Sequence, residues 1–127
     1  MKILGIGVDI IKNKRIKSLV KNKNFVKRTF GKKEVQLSKK ISNKDLYFAK
    51  RFAAKESFAK ALGTGFRNNL NFKDIEILND KIGKPYYFKS IKINNIVRQK
   101  FNIKKYNLFL SISDEKDYSI AFTILQK

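Results

Sequence analysis

Glu56 is a carboxylate in an unexpected setting. It lies in residues 48–63, Phe-Ala-Lys-Arg-Phe-Ala-Ala-Lys-Glu-Ser-Phe-Ala-Lys-Ala-Leu-Gly, a run that reads as a helix. At about 100° per residue its nearest neighbours on the helical wheel are Ala49, Phe52, Ala53, Lys60 and Gly63. Those small and apolar residues describe a face packed close to something. An unpaired ionised carboxylate on such a face either neutralises or finds a partner. The partner is a cation, either Lys60 one turn on or a metal. Asp9 is a second carboxylate that stands out, at the end of an apolar run beside Gly5 and Gly7. Oxygen ligands from two distant segments fit a magnesium ion that keeps several waters and awaits substrate phosphates. Lys60, with Lys50, Arg51 and Lys55 on other faces of the helix, completes the equipment of phosphoryl-type transfer. The plain alternative is a surface Glu–Lys pair worth roughly a few tenths of a kcal/mol. The residues by themselves leave both open.

Composition narrows the chemistry. The chain has neither Cys nor His. That excludes disulfides, a thiol nucleophile, a Ser-His-Asp triad and an ordinary zinc site. Carboxylates, Lys, Tyr, Ser/Thr and hard oxygen-liganded metals remain. At 127 residues, 43% of them hydrophobic, the chain is one domain's worth, residues 1–127, with ample material for a core. No apolar run approaches the ~18 residues of a membrane span. The apolar start is interrupted by Asp9 before any cleavage-site pattern, so the sequence reads as cytoplasmic. The net charge of +20 attracts polyanions. Drift toward Lys, Asn, Ile and Phe explains the same excess equally well.

The elements that must position these groups can be read from pattern. Residues 3–10 alternate as a strand, with Leu4, Ile6, Val8 and Ile10 on one face and Gly5, Gly7 and Asp9 on the other. The glycines mark close approach of either a ligand or a packed helix. A short basic helix follows over 12–21, with Ile16, Leu19 and Val20 as its stripe. A second amphipathic piece runs over 25–30 and ends at Gly31. A third covers 32–40, with Val35 and Leu37 expected inside. Asp45 is expected to cap the long helix, which stops at Gly63-Thr64-Gly65. Residues 72–78 and 84–88 read as strands around a turn at 79–83, with Pro85 at an edge. Ile93, Ile96, Val97 and Phe101 have helical spacing. Residues 108–113 and 118–124 form a final hairpin around 114–117. The order is α+β, with a mainly antiparallel sheet packed on a long central helix.

Four segments carry a family resemblance. They are Gly5-Ile-Gly-Val-Asp9-Ile, the run from Arg51 through Lys-Glu56-Ser-Phe-Ala-Lys60 to Gly63-Thr-Gly65, Gly83-Lys84-Pro85, and Ser111-Ile-Ser113 before a Tyr-Ser-Ile-Ala strand. In order and spacing they resemble the short, single-domain 4'-phosphopantetheinyl transferases, the holo-acyl-carrier-protein synthases. The resemblance implies that family's fold. It implies magnesium-dependent transfer of 4'-phosphopantetheine from coenzyme A to a serine of an acidic apo acyl carrier protein. The by-product would be adenosine 3',5'-bisphosphate, and the setting fatty acid biosynthesis. Asp9 and Glu56 would hold magnesium. Glu56 would help deprotonate the carrier serine, and Lys60 would neutralise or protonate the departing phosphate. Arg51, Lys60, Gly63, Gly65, Lys84, Pro85, Ser113 and Asp114 would meet coenzyme A. Arg15, Leu19 and Arg28 would dock the carrier protein. The resemblance also implies a homotrimer with coenzyme A between neighbouring subunits, so that Arg15 and Glu56 of one site can come from different subunits.

The chain departs from this pattern once. The family usually carries His after the Ser-x-Ser/Thr of the last hairpin, and here that position is Asp114. A mechanism that needs an imidazole there cannot operate in this chain. Two rivals stand beside the transferase. One is an inactive relative that keeps only the docking surface. The other is a nucleic-acid binder using eleven Phe and five Tyr, although neither Asp9 nor Glu56 has a task in it.

Overall fold

The computed structural model describes residues 1–67 and 69–127. Strand β1 (Ile3–Lys12) leads to three short helices, α1 (Asn13–Leu19), α2 (Lys23–Thr29) and α3 (Lys32–Ser38), and then to the long α4 (Lys44–Leu62). A 3-10 turn (Phe72–Asp74), the strands β2 (Ile77–Asn79) and β3 (Pro85–Tyr87), helix α5 (Ile91–Phe101) and the hairpin β4 (Asn107–Asp114)–β5 (Tyr118–Gln126) complete it. β5 lies between β1 and β4, antiparallel to both, with Asp9 opposite Ala121 and Val8 opposite Phe122. β2 and β3 pair separately. The α+β class and the antiparallel sheet on a long helix are as the pattern predicts.

The glycines of β1 face α4. A Cβ on Gly5 would overlap the carbonyl oxygen of Ala61, and one on Gly7 that of Ser57. Close helix packing, rather than a ligand, explains both. Leu110, Ala121, Thr123 and Leu125 of the other strands are buried, while Phe48, Phe52, Ala53 and Phe58 of α4 are buried among the helices and strands around it. The rings of Phe25, Phe30, Phe48, Phe52 and Phe72 pack against one another, so the rival's stacking residues are largely core. The opposite face of the sheet leaves Ile6, Val8, Ile10, Phe109, Ile120 and Phe122 exposed.

Four local expectations need correction. α3 buries Glu34 and Ser38, whereas Leu37 is exposed and Val35 only partly covered. Its inward face is therefore one step out of phase with its apolar residues. Asn43, not Asp45, caps α4, accepting the Leu46 amide at 3.1 Å. Asp45 instead sits in the first turn, where the helix dipole favours an anion. Gly31 does not end α2. It has an ordinary negative φ and serves as the N-cap of α3, its amide donating to Glu34 Oε1. Residues 72–76 are not strand; the 3-10 turn delivers Ile75 inward, and β2 is only three residues long.

Candidate active site

α4 is a stable platform. Asn43 satisfies an amide at its start, and Gly63, at φ +86°, ends it with its own amide donating to Ala59. β1 crosses the C-terminal half of this helix at glycine-limited distance. Asp9 follows Gly7 on the same strand face and therefore points at α4. There Lys60 Nζ donates to Asp9 Oδ1 at 3.2 Å and to the Val8 carbonyl at 3.0 Å. Glu56 stands one turn earlier, half-buried. Burial raises its carboxyl above the ordinary range, the negative charge of Asp9 raises it further, and Lys60 and Arg15 oppose both. Asp9 is raised by burial too, against the Lys60 hydrogen bond and the Lys60 and Arg15 charges.

Lys60 therefore pairs with Asp9, not with its helical neighbour Glu56. Among the described residues no cation closes on Glu56 to form an ion pair. Two carboxylates thus stand close enough for the charge of one to act on the other, with Lys60 bonded to one of them. Nor, among the described residues, do three or more metal-ligating side chains gather anywhere. Arg15 acts electrostatically on Asp9 and Glu56 within the same chain.

Of the residues expected to meet the nucleotide, Arg51, Lys84 and Pro85 lie together, whereas Lys60 is with Asp9. Arg51 is buried, its guanidinium 3.7 Å from the centre of the Tyr47 ring, donating to Asn79 Oδ1 at 2.5 Å. Asn79 is paired with Pro85 across β2–β3, so Arg51 and the Lys84–Pro85 hairpin are held together. Lys84 is exposed. Asp114 lies 3.9 Å from Lys50, which offsets its negative charge, and Ser113 is exposed beside it. Tyr47, Lys50, Arg51 and Asn79 line one pocket of about 480 Å³. Gly63 and Gly65 have positive φ and open space where a side chain would be. Among the described residues no hydrogen bond or ion pair links Arg51, Lys84 or Asp114 to Asp9 or Glu56. Leu19 is half-buried on α1, and Arg28 is exposed on α2, 5.6 Å from the Phe25 ring centre.

A sequence model of the 4'-phosphopantetheinyl transferase superfamily matches residues 5–123. The chain belongs to this superfamily. The holo-[acyl-carrier-protein] synthase of Pelagibacter ubique (strain HTCC1062) is 61% identical over 127 residues, covering 100% of this chain and 99% of the relative. That of Ehrlichia chaffeensis is 50% identical, with 97% of this chain and 96% of the relative covered. Among solved structures, the holo-[acyl-carrier-protein] synthase of Neisseria meningitidis superposes with a TM-score of 0.89 at 38% identity, covering 99% and 100% of the two chains. The Helicobacter pylori synthase in complex with coenzyme A does so with a TM-score of 0.79 at 32% identity, covering 95% and 99%. This phosphopantetheinyl transferase is an enzyme, like the relatives whose fold it shares.

Sequence reasoning missed several residues that pack around α4. Glu34 and Lys55 form a fully buried pair behind α4, described below. Tyr47 and Asn79 orient Arg51. Lys55 reads only as one of the cations on other faces of the helix, and Glu34 draws no notice; nothing in their sequence neighbours says that both turn inward. Asn79 was visible only as turn chemistry.

Proposed function

We propose a division of labour for the transfer this enzyme performs, from coenzyme A to the serine hydroxyl of an apo acyl carrier protein. The carrier's serine oxygen bonds to the phosphopantetheinyl phosphorus, the pyrophosphate P–O bond breaks, and adenosine 3',5'-bisphosphate leaves. Glu56 accepts the serine proton; in the ion-free chain burial and the neighbouring Asp9 hold its carboxyl above the ordinary range. Lys60, over half exposed, is free to swing from Asp9 to the departing phosphate. Arg51 and the Lys84–Pro85 hairpin receive the nucleotide, with Ser113, Gly63 and Gly65 shaping its walls. Arg15, Leu19 and Arg28 dock the acidic carrier. Asp114 is compatible with this scheme because Lys50 stands against it.

The donor set suits magnesium, since Asp9 and Glu56 offer hard oxygen atoms and the chain has neither thiolate nor imidazole to compete with them. Those two residues would hold the ion, which when bound would neutralise the pyrophosphate. The observation that carries the reading is the convergence of Asp9, Glu56 and Lys60 from two distant segments. A homotrimer fits the outward sheet face, where Ile6, Val8 and Ile10 are each more than half exposed next to Phe122 and Ile120. A site between subunits would also join the two residue groups that one chain keeps apart. No helix among the described residues is long and apolar enough to cross a membrane, in keeping with a cytoplasmic enzyme.

The test is the intact mass of apo carrier protein after incubation with this protein, coenzyme A and magnesium, with and without a chelator. One added phosphopantetheine, lost with chelator, is expected. No gain by a folded chain would implicate Asp114, and gain that survives the chelator would remove the metal from the scheme.

A further inference from the structure

Three buried hydroxyls meet next to Glu56, and the transfer scheme gives none of them a task. Ser57 on α4, Thr123 on β5 and Tyr87 on β3 are all buried, the first two completely. Thr123 Oγ1 lies 2.6 Å from both Ser57 Oγ and Tyr87 Oη. The Ala54 carbonyl accepts from Tyr87 at 2.7 Å and from Ser57 at 3.0 Å. The protons run either from Ser57 through Thr123 and Tyr87 to that carbonyl, or from Tyr87 through Thr123 and Ser57 to it. In both directions each hydroxyl donates once and none is orphaned. Burial holds the Tyr87 phenol far above its ordinary range, so it keeps its proton at neutral pH.

The place of this knot gives it a meaning beyond stability. Ser57 follows Glu56 directly. Thr123 is paired across the sheet with Gly7, two residues before Asp9, and a side chain on Gly7 would meet the Ser57 carbonyl. Tyr87 lies two residues after Pro85, on the hairpin that the scheme assigns to the nucleotide. The strand of Asp9, the helix of Glu56 and the nucleotide hairpin therefore touch at these hydroxyls. A second bond between hairpin and α4, Arg51 on Asn79, uses a side chain that the scheme also assigns to the nucleotide. The buried hydroxyls have no such second duty. We propose that Tyr87 is a positioning residue for the transfer. Its hydroxyl holds the nucleotide hairpin at a fixed distance from the turn of α4 that carries Glu56, and so sets the pyrophosphate against the carboxylates. This rests on the transferase reading above. It holds equally where the two residue groups meet across subunits, since identical chains repeat the same spacing.

Transfer kinetics on the full chain, with coenzyme A titration calorimetry and urea unfolding, test it. Tyr87→Phe keeps the ring that packs 5.3 Å from the Phe58 ring centre and releases the hairpin. It strands no hydroxyl, since Thr123 then donates to Ser57 and Ser57 to Ala54. Thr123→Val leaves the Tyr87–Ala54 bond, and with it the hairpin, in place. Tyr106→Phe removes another short tyrosine bond, to Asn94 of α5, which has no part in the scheme. Tyr87→Phe is expected to lower kcat about tenfold and weaken coenzyme A binding about threefold, with the carrier KM unmoved. Thr123→Val and Tyr106→Phe are expected to lower the urea midpoint as Tyr87→Phe does, while changing kcat less than about twofold. A Tyr87→Phe variant that loses stability yet keeps kcat and coenzyme A affinity overturns the inference. An equal fall in kcat in all three variants also overturns it. A tenfold loss of kcat in Thr123→Val does so even where Tyr87→Phe is too unstable to assay. These outcomes leave the function standing as long as the unsubstituted chain transfers; absence of transfer by that chain overturns both.

Discussion

Lys55 and Lys60 are five residues apart on one helix, and each meets a carboxylate from another element. Lys55 Nζ touches Glu34 Oε1 at 2.5 Å and donates to the carbonyls of Phe72, at 3.0 Å, and Ile75; both side chains are fully buried. Glu34 also accepts the amides of Gly31 and Ile77. Burial lowers the Lys55 ammonium and raises the Glu34 carboxyl, and the mutual attraction opposes both shifts. Every ammonium proton of Lys55 has an acceptor, and the pair ties α3, α4, the 3-10 turn and β2 together. Lys60 is 54% exposed and Asp9 16%, and Glu56 next to them has no cation of its own. Similar side chains thus do opposite work. Complete satisfaction leaves no valence for a substrate, while incomplete satisfaction at the surface leaves oxygen atoms and an ammonium available for one.

The largest expected effect breaks the buried half. Lys55→Met leaves the buried Glu34 carboxylate with no cation closer than Arg51, at 3.9 Å, and should cost about 3–5 kcal/mol of stability, read as a lower urea midpoint. Replacing both partners, Glu34→Leu with Lys55→Met, should recover most of that loss. A double variant as weak as the single would show that the carbonyls and amides around the pair matter more than its charges.

Glu56→Gln sharpens the open half. Transfer should fall at least about a hundredfold, with the urea midpoint held or raised, because no ion pair is lost and the repulsion with Asp9 is relieved. An unchanged rate would sink the base and metal roles together. Gly7→Ala should disturb both properties at once. Its methyl group meets the Ser57 carbonyl, costing about 1–3 kcal/mol and displacing Asp9 from Glu56. Stability intact with transfer lost would contradict the packing account of that glycine.

The smallest effect lies outside both pairs. Burial pushes the Tyr106 phenol up to about 12, and its hydroxyl donates to Asn94 Oδ1 at 2.6 Å. The folded chain keeps this proton where the unfolded chain, near pH 10, releases it. Its contribution is therefore present below about pH 10 and lost as pH rises toward 12. The fall in Tm across that window should be shallower in Tyr106→Phe; identical slopes would remove Tyr106 from the alkaline transition.

Much of the fold was legible because its signals are local. β1, α4, α5 and the last hairpin follow from alternation, helical spacing and the glycine after Leu62, whose αL conformation the sequence anticipates. Asp9, Glu56 and Lys60 were legible for a different reason. A carboxylate among alanines is improbable unless it has a task, and the motif around it is specific. Where the reading slipped, two local patterns competed. Residues 72–76 have strand-like composition, yet the 3-10 turn is closed by the Asp74 carboxylate accepting the Asn71 amide. In α3, apolarity pointed to Val35 and Leu37, but the pull of Lys55 on Glu34 turned the helix by one residue.

By itself the sequence determined most of the elements, the absence of thiol and imidazole chemistry, and Asp9, Glu56 and Lys60 as the groups to suspect of chemistry. Those follow from residue type and separation along the chain. Only the tertiary structure decided that Lys60 reaches Asp9 rather than Glu56, that Arg51 is buried on Tyr47 and Asn79, and that Glu34 and Lys55 close on each other inside the molecule. The physical reason is that a charged side chain's role depends on which other chain segment removes its water. That choice is made when β1, α3 and β2 pack around α4, at separations that local pattern does not encode.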